Sequence, residues 1–158
     1  RAPRRPVIAV LTPRFAASNI AGVSDPAVAA AIVSRARDSA EIRVVPHALL
    51  AERLAAVRAA GRACDDAPCR FGLSRGAGAN KALDTEIALV AERCVVTSVV
   101  VDLESTAREN AAVETATCEA AAIGDAFERV VAKLFPREGR IADNAQALSR
   151  SANAALAA

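Results

Sequence analysis

Four cysteines are the residues of this 158-residue chain best equipped for covalent or metal chemistry. Cys64 and Cys69 bracket the short stretch "CDDAPC". Cys94 and Cys118 stand near the two ends of "RCVVTSVVVDLESTARENAAVETATC", residues 93–118. Three chemistries are open: two disulfides, one metal site, or four free buried thiols. A metal site would add Asp65 and Asp66 as hard ligands, and the spacing of Cys64 and Cys69 falls within the range of zinc pairs. Cys94 and Cys118 are too far apart in number to make a second such pair. A hairpin turning at Ser105-Thr106-Ala107 offers a simpler arrangement. Leu103 then faces Glu109, Val99 faces Val113, Thr97 faces Thr115, and Cys94 faces Cys118. Opposed Cα atoms on antiparallel strands lie about 4.5–5.5 Å apart, within the span of about 4.4–6.8 Å that a disulfide bridges. Disulfides Cys94–Cys118 and Cys64–Cys69 are therefore the preferred reading, and no metal or cofactor is expected. Two such bonds point to an oxidising compartment, the periplasm or the cell exterior.

The remaining candidates for chemistry are weaker. His47 is the only histidine. It follows Pro46 at a helix start, where a solvent-facing place is expected rather than a Cys–His pair. "RGAGANK" lacks both the G-x-x-x-x-G-K-[ST] frame and a preceding strand, and Lys81 stands where G-x-G-x-x-G needs its third glycine. A helix C-cap running into a strand explains these glycines. Asp84 and Glu86 share one strand face and could do acid–base work; alternating charge on a solvated face is the plainer account. No catalytic residue is assigned, and a non-enzymatic domain is expected.

The totals narrow the classes further. A net charge of +2 gives no long-range attraction to nucleic acid. Aromatics are 3%, with no Trp or Tyr, so base-stacking platforms are lacking as well. Hydrophobic residues at 53% and charged residues at 24% describe a globular chain. No apolar run reaches the length of a transmembrane helix. The lack of Met makes a processed or excised chain the expectation.

The elements that must position these residues can be read in order. "VIAVL" is a buried first strand that Pro13 ends. Ser24 or Asp25 caps a helix with Pro26 in its first turn, and Val28, Ile32 and Val33 form its stripe. "EIRVV" is a second strand, stopped by Pro46. A helix follows, with Leu49, Leu50, Leu54 and Val57 on one side and Gly61 as its cap. A short helix buries Phe71 and Leu73. "KALDTEIALV" alternates as a strand, with Leu83, Ile87 and Leu89 on one face. "CVVTSVVVDL" and "ENAAVETATC" complete a meander. The closing helix sends Ile123, Phe127, Val130, Val131 and Leu134 to the core and ends at Pro136. The expected class is α/β with a mixed sheet and α+β character, in the order β-α-β-α-(short α)-β-β-β-α, with helices packed on the sheet. Residues 1–136 form one domain, and 137–158 an Ala-rich tail, a weak helix or disordered.

With the elements in place, "VIAVLTPRF", "EIRVVPHALLAERLAA", "CDDAPCRFGLSRGAGANKALDTEIA" and "CVVTSVVVDLESTARENAAVETATC" together resemble the α/β domain at the N-terminus of TolB. The chain is also similar to the related domain of CsgG-type envelope lipoproteins. The resemblance spans about residues 7–135 and includes Gly78-Ala79-Asn80 and Asp102-Leu103, with Asn80 where the family usually carries Asp. It implies an envelope-located, non-enzymatic interaction or assembly domain and transfers no catalytic residue.

Two functions are therefore carried forward. The first is a periplasmic protein-interaction domain of a larger envelope protein, associated with the outer membrane through a region outside this chain. Its surface would be the sheet edge, open to strand addition. Its partners would be envelope proteins, with no nucleic acid. The second is a small extracytoplasmic ligand-binding domain or enzyme, with its site at the C-terminal ends of the strands. Thr12, Arg14 and Asn19 would line that cleft.

Overall fold

The computed structural model describes residues 6–16 and 24–136. Asn19 and the Ala-rich segment 137–158 lie outside them. The elements are β1 (Val7–Val10), β2 (Arg14–Phe15), α1 (Asp25–Arg37), β3 (Arg43–Val44), α2 (His47–Ala59), α3 (Ala67–Gly76), β4 (Lys81–Val90), β5 (Arg93–Asp102), β6 (Arg108–Ala116) and α4 (Ala120–Leu134). This is the expected mixed α/β order with one short strand, β2, added.

The sheet runs β3-β1-β4-β5-β6. β1 lies parallel to both β3 and β4, and β4, β5 and β6 form an antiparallel meander. β2 extends the line of β1 along β4, pairing Arg14 with Glu86 and Phe15 with Ile87. Leu11 N donates to Leu83 O at 3.1 Å and Ala16 N to Ile87 O at 2.9 Å. Between them Pro13 has no N–H to give the ladder. Pro13 thus interrupts the pairing with β4 without ending it.

One face of the sheet carries the main core. α1 begins at Ser24, whose hydroxyl accepts from Ala27 N at 3.2 Å, so Ser24 and not Asp25 is the cap. Val28, Ile32 and Ala36 are its buried residues, Ala36 replacing the half-buried Val33. α4 buries all five expected side chains together with Gly124 and Ala126. Both helices pack on Ile8, Val10, Leu83, Ile87, Val96 and Val100. Thr85 and Ser98 lie fully buried within the same face.

Among the described residues, the opposite face is only partly covered. Ala9, Leu11, Ala82, Val101 and Leu103 form a smaller cluster against half-buried Leu49, Leu50 and Phe71. α2 buries no residue at all, so Leu49, Leu50, Leu54 and Val57 are an apolar stripe only partly withdrawn from water. Phe71 and Leu73 of α3 are half-buried, and Ser74 is its one buried residue. Leu89, expected inside, is exposed near the tip of the β4–β5 hairpin. Both helices end in paired backbone bonds. Gly61 N donates to Arg58 O and Arg62 N to Val57 O; Gly78 N donates to Arg75 O and Ala79 N to Ser74 O. Gly61 (φ 79°) and Gly78 (φ 92°) take the left-handed conformation that this Schellman arrangement needs.

The register of the β5–β6 hairpin differs from expectation. Cys94 faces Ala116, Thr97 faces Val113, and Val99 faces Ala111. The cause is the loop. Asp102 N donates to Ala107 O at 2.9 Å, and the Asp102 carboxylate accepts from Ser105 N and Oγ. These bonds close the turn early, and a bulge between Val100 and Val101 adds one residue back. The result is a two-residue slip, which preserves which face each side chain occupies.

Candidate functional site

Both disulfides are present. Cys94 and Cys118 have Cα atoms 5.1 Å apart, and Cys64 and Cys69 are 5.3 Å apart. Cys118 does not sit opposite Cys94. β6 ends at Ala116, and the chain bends at Thr117, whose carbonyl accepts from Glu119 N at 2.9 Å. The bend lays Cys118 against the main core, where Cys94 is buried. The bond therefore fastens the β6–α4 corner to the start of β5. At the other end, the Asp66 carboxylate caps α3 by accepting from Cys69 N at 2.9 Å. Asp66 is thus the N-cap of α3.

Cys64 and Asp65 line one side of a cleft of about 490 Å³. Its floor comes from the strand ends, Val10, Leu11, Thr12 and Pro13. α2 contributes His47, Leu50, Ala51, Leu54 and Arg58, positions that fall on one side of a helix. α3 contributes Arg70, Leu73 and Ser74. Pro13 interrupts the ladder at this floor, and α2 meets the sheet's smaller cluster through Leu49 and Leu50, with Leu54 and Arg58 further along the helix lining the cleft. Apolar side chains and a set of polar and charged groups, Thr12, Arg14, His47, Arg58, Asp65, Arg70 and Ser74, share the lining, a mixture that can suit a small molecule.

The sequence-derived cleft residues are divided. Thr12 and Arg14 both line this hollow, whereas Asn19 is outside the described residues. Arg14 is committed elsewhere: its Nε and Nη2 donate to the two Asp84 carboxylate oxygens at 3.2 Å each, and Nη1 lies 3.6 Å from Glu86. Asp84 and Glu86 are therefore held by an arginine and are not a free acid–base pair. Arg58 lies 3.9 Å from Asp65. Arg70 differs, because its Nη2 donates to the Thr12 carbonyl at 2.9 Å and, among the described residues, no carboxylate pairs with it. His47 is exposed at the mouth. Sequence reasoning missed Leu50, Leu54, Arg58 and Arg70 as cleft residues. The signal for the first three was present, an apolar stripe at 50 and 54 continued by Arg58, but it reads equally as a packed core face. Among the described residues, no group of three or more His, Cys, Asp or Glu side chains could hold a metal.

A second surface lies on the same side of the sheet, beyond α2 and α3. Strand alternation and register place three rows there: Ala88, Val95 and Thr115; Glu86, Thr97 and Val113; Asp84, Val99 and Ala111. Val113 is 49% exposed and Val90, at the hairpin end, 58%. The edge of β6 is less open than its position suggests. The Thr115 carbonyl accepts from Arg129 at 3.2 Å, the Val113 carbonyl from Lys133 at 3.3 Å, and Ala111 N donates to the Asn110 side chain at 2.9 Å. Glu114 holds both cations, 3.4 Å from Arg129 Nε and 2.8 Å from Lys133 Nζ. The hydrogen bond from Lys133, reinforced by Arg129, keeps the Glu114 carboxyl below its ordinary value.

No family model matches the chain, and no curated protein sequence matches it. Solved structures do. The LpoB C-terminal domain from Salmonella enterica superposes with a TM-score of 0.55 at 10% identity, covering 71% of this chain and 82% of that one. The hypothetical protein CT253 from Chlamydia trachomatis gives 0.55 at 13% identity, covering 85% and 98%. A PelC dodecamer subunit from Paraburkholderia phytofirmans gives 0.51 at 14% identity, covering 87% and 94%. The chain has the same fold as these three proteins.

Proposed function

We propose that this chain is an extracytoplasmic, non-catalytic interaction or assembly domain of a larger bacterial envelope protein, of the TolB N-terminal and CsgG-like kind. We place its docking surface on the open face of β4, β5 and β6. The observation that carries this reading is the row Glu86, Thr97 and Val113, with Val113 half exposed on a sheet face that, among the described residues, no helix covers. Val113 and, at the hairpin end, Val90 give this face apolar surface that a partner could cover. The reading moves the partner surface from the β6 edge to the face, since the edge carbonyls of Val113 and Thr115 already have donors. Two disulfides support a periplasmic or exterior location. The resemblance to envelope domains supports an envelope partner, with outer-membrane association supplied by a region outside this chain. That PelC was solved as a dodecamer is compatible with an assembly role.

The test is site-specific photocrosslinking in the native host. A photoreactive residue at Val113 or Thr97 should yield one discrete adduct, and Val90→Asp in the same chain should abolish it. The same residue at Glu52 on α2 should yield none. Equal labelling at Glu52, or no adduct from any position on the open face, would overturn the reading.

A further inference from the structure

We propose that the cleft between α2, α3 and the end of β1 binds a small anionic amphiphile, a molecule with one carboxylate or phosphate head and a short unbranched apolar body. A helix of thirteen residues with no buried side chain is unusual in a packed domain, and its leucines must be accounted for. Leu50 reaches the sheet's smaller cluster and also lines the hollow, Leu54 lines the hollow one turn further on, and Leu11 and Leu73 line it from β1 and α3. This apolar lining stays partly wet unless something fills it.

Charge selects the occupant. Arg14, Arg58 and Arg70 all reach the lining, against one carboxylate, Asp65. Arg14 is occupied by Asp84, and the Arg58–Asp65 pair is long and exposed. Among the described residues, the Arg70 guanidinium meets the Thr12 carbonyl and pairs with no carboxylate. One hydrogen bond orients its guanidinium and leaves further N–H donors for a ligand, in the planar fork that suits a carboxylate or phosphate. The apolar floor and the cationic mouth thus ask for the two halves of one molecule. A cleft of about 490 Å³ is within the range of small-ligand sites and too small for a folded partner.

This site is on a different surface from the proposed docking face, so the two stand or fall separately. The test is thermal unfolding of the full 158-residue chain with decanoate and decyl phosphate, each below its micellar concentration. Decanol supplies the body without the charge, and acetate and inorganic phosphate supply the head alone. One or both of the amphiphiles should raise Tm, by on the order of 5–10 °C at about 100-fold above Kd. Which of them does so distinguishes the carboxylate from the phosphate source. Decanol, acetate and inorganic phosphate should leave Tm unchanged. Arg70→Gln and, separately, Leu54→Asp should remove the shift, while Val113→Asp on the open face should keep it. Amide resonances of Leu50, Leu54 and Arg70 should move on titration even if a variant fails to fold. An equal response to decanol, a shift that survives Arg70→Gln, or resonance changes confined to β5 and β6 would overturn the proposal.

Discussion

Thr85 Oγ1 and Ser98 Oγ lie 2.7 Å apart, directly opposite each other on β4 and β5 and fully buried beneath the helices. Two hydroxyls in an apolar core satisfy each other there. Thr85→Val keeps the shape and leaves Ser98 without that partner, which costs about 1–3 kcal/mol. Ser98→Ala does the same to Thr85. The double variant should lose less than the sum of the two, because no orphaned hydroxyl remains. Urea unfolding of the four proteins measures this; strict additivity would show that the pair is not coupled.

Ala91 and Glu92 form the two-residue loop between β4 and β5, with φ of 49° and 66°. Both central positions of a type I′ turn require positive φ, which favours Asn-Gly. A residue with a Cβ there carries strain of about 1 kcal/mol. Ala91→Asn with Glu92→Gly should therefore raise stability by about 1 kcal/mol, read as a higher urea midpoint with unchanged slope.

The two disulfides should differ in weight. The chain-entropy relation assigns about 3.5 kcal/mol to the larger ring closed by Cys94–Cys118 and about 2 kcal/mol to the ring closed by Cys64–Cys69. Cys94→Ser with Cys118→Ser should accordingly destabilise more than Cys64→Ser with Cys69→Ser. Mass spectrometry of the alkylated chain, with and without reductant, should find no free thiol until reductant is added. Four free thiols in the untreated protein would remove both the pairing and the compartment argument.

Glu114 ties acid stability to α4. Its folded carboxyl titrates below the ordinary 4.5 because Lys133 and Arg129 favour the charged form. Folding then gains from Glu114 fully above its unfolded value, and that gain disappears as pH falls through the lower folded value. Urea midpoints from pH 7 to pH 3 should decline less steeply for Glu114→Gln than for the unmodified chain below about pH 4.5. Parallel curves would exclude a contribution from this residue.

The strongly periodic parts of the fold are legible from sequence. α4 shows its five core positions openly, and "KALDTEIALV" coincides with β4 because alternation and the flanking turns agree. Pairing of Cys94 with Cys118 could be foreseen, but its geometry could not. The Asp102–Ser105 turn and the bulge shift the ladder by two residues, and the bend at Thr117 restores the contact. Neither leaves a pattern in hydrophobicity. α2 misleads for a related reason: Leu50 and Leu54 look the same in sequence whether they meet a sheet or a hollow. Arg70 gives no local signal, since its value to the cleft depends on the Thr12 carbonyl, 58 residues away.

The cations that α4 places on the β6 edge have a consequence for crowding. An unguarded edge strand templates the next copy of itself, and the hazard grows when many copies are held close together. Here a newcomer would have to displace Lys133 and Arg129 from the Val113 and Thr115 carbonyls before its own backbone could register. Glu114 holds the same two guards in place. Neighbouring copies can then crowd side by side without fusing into a continuous ribbon, so dense packing need not become polymerisation.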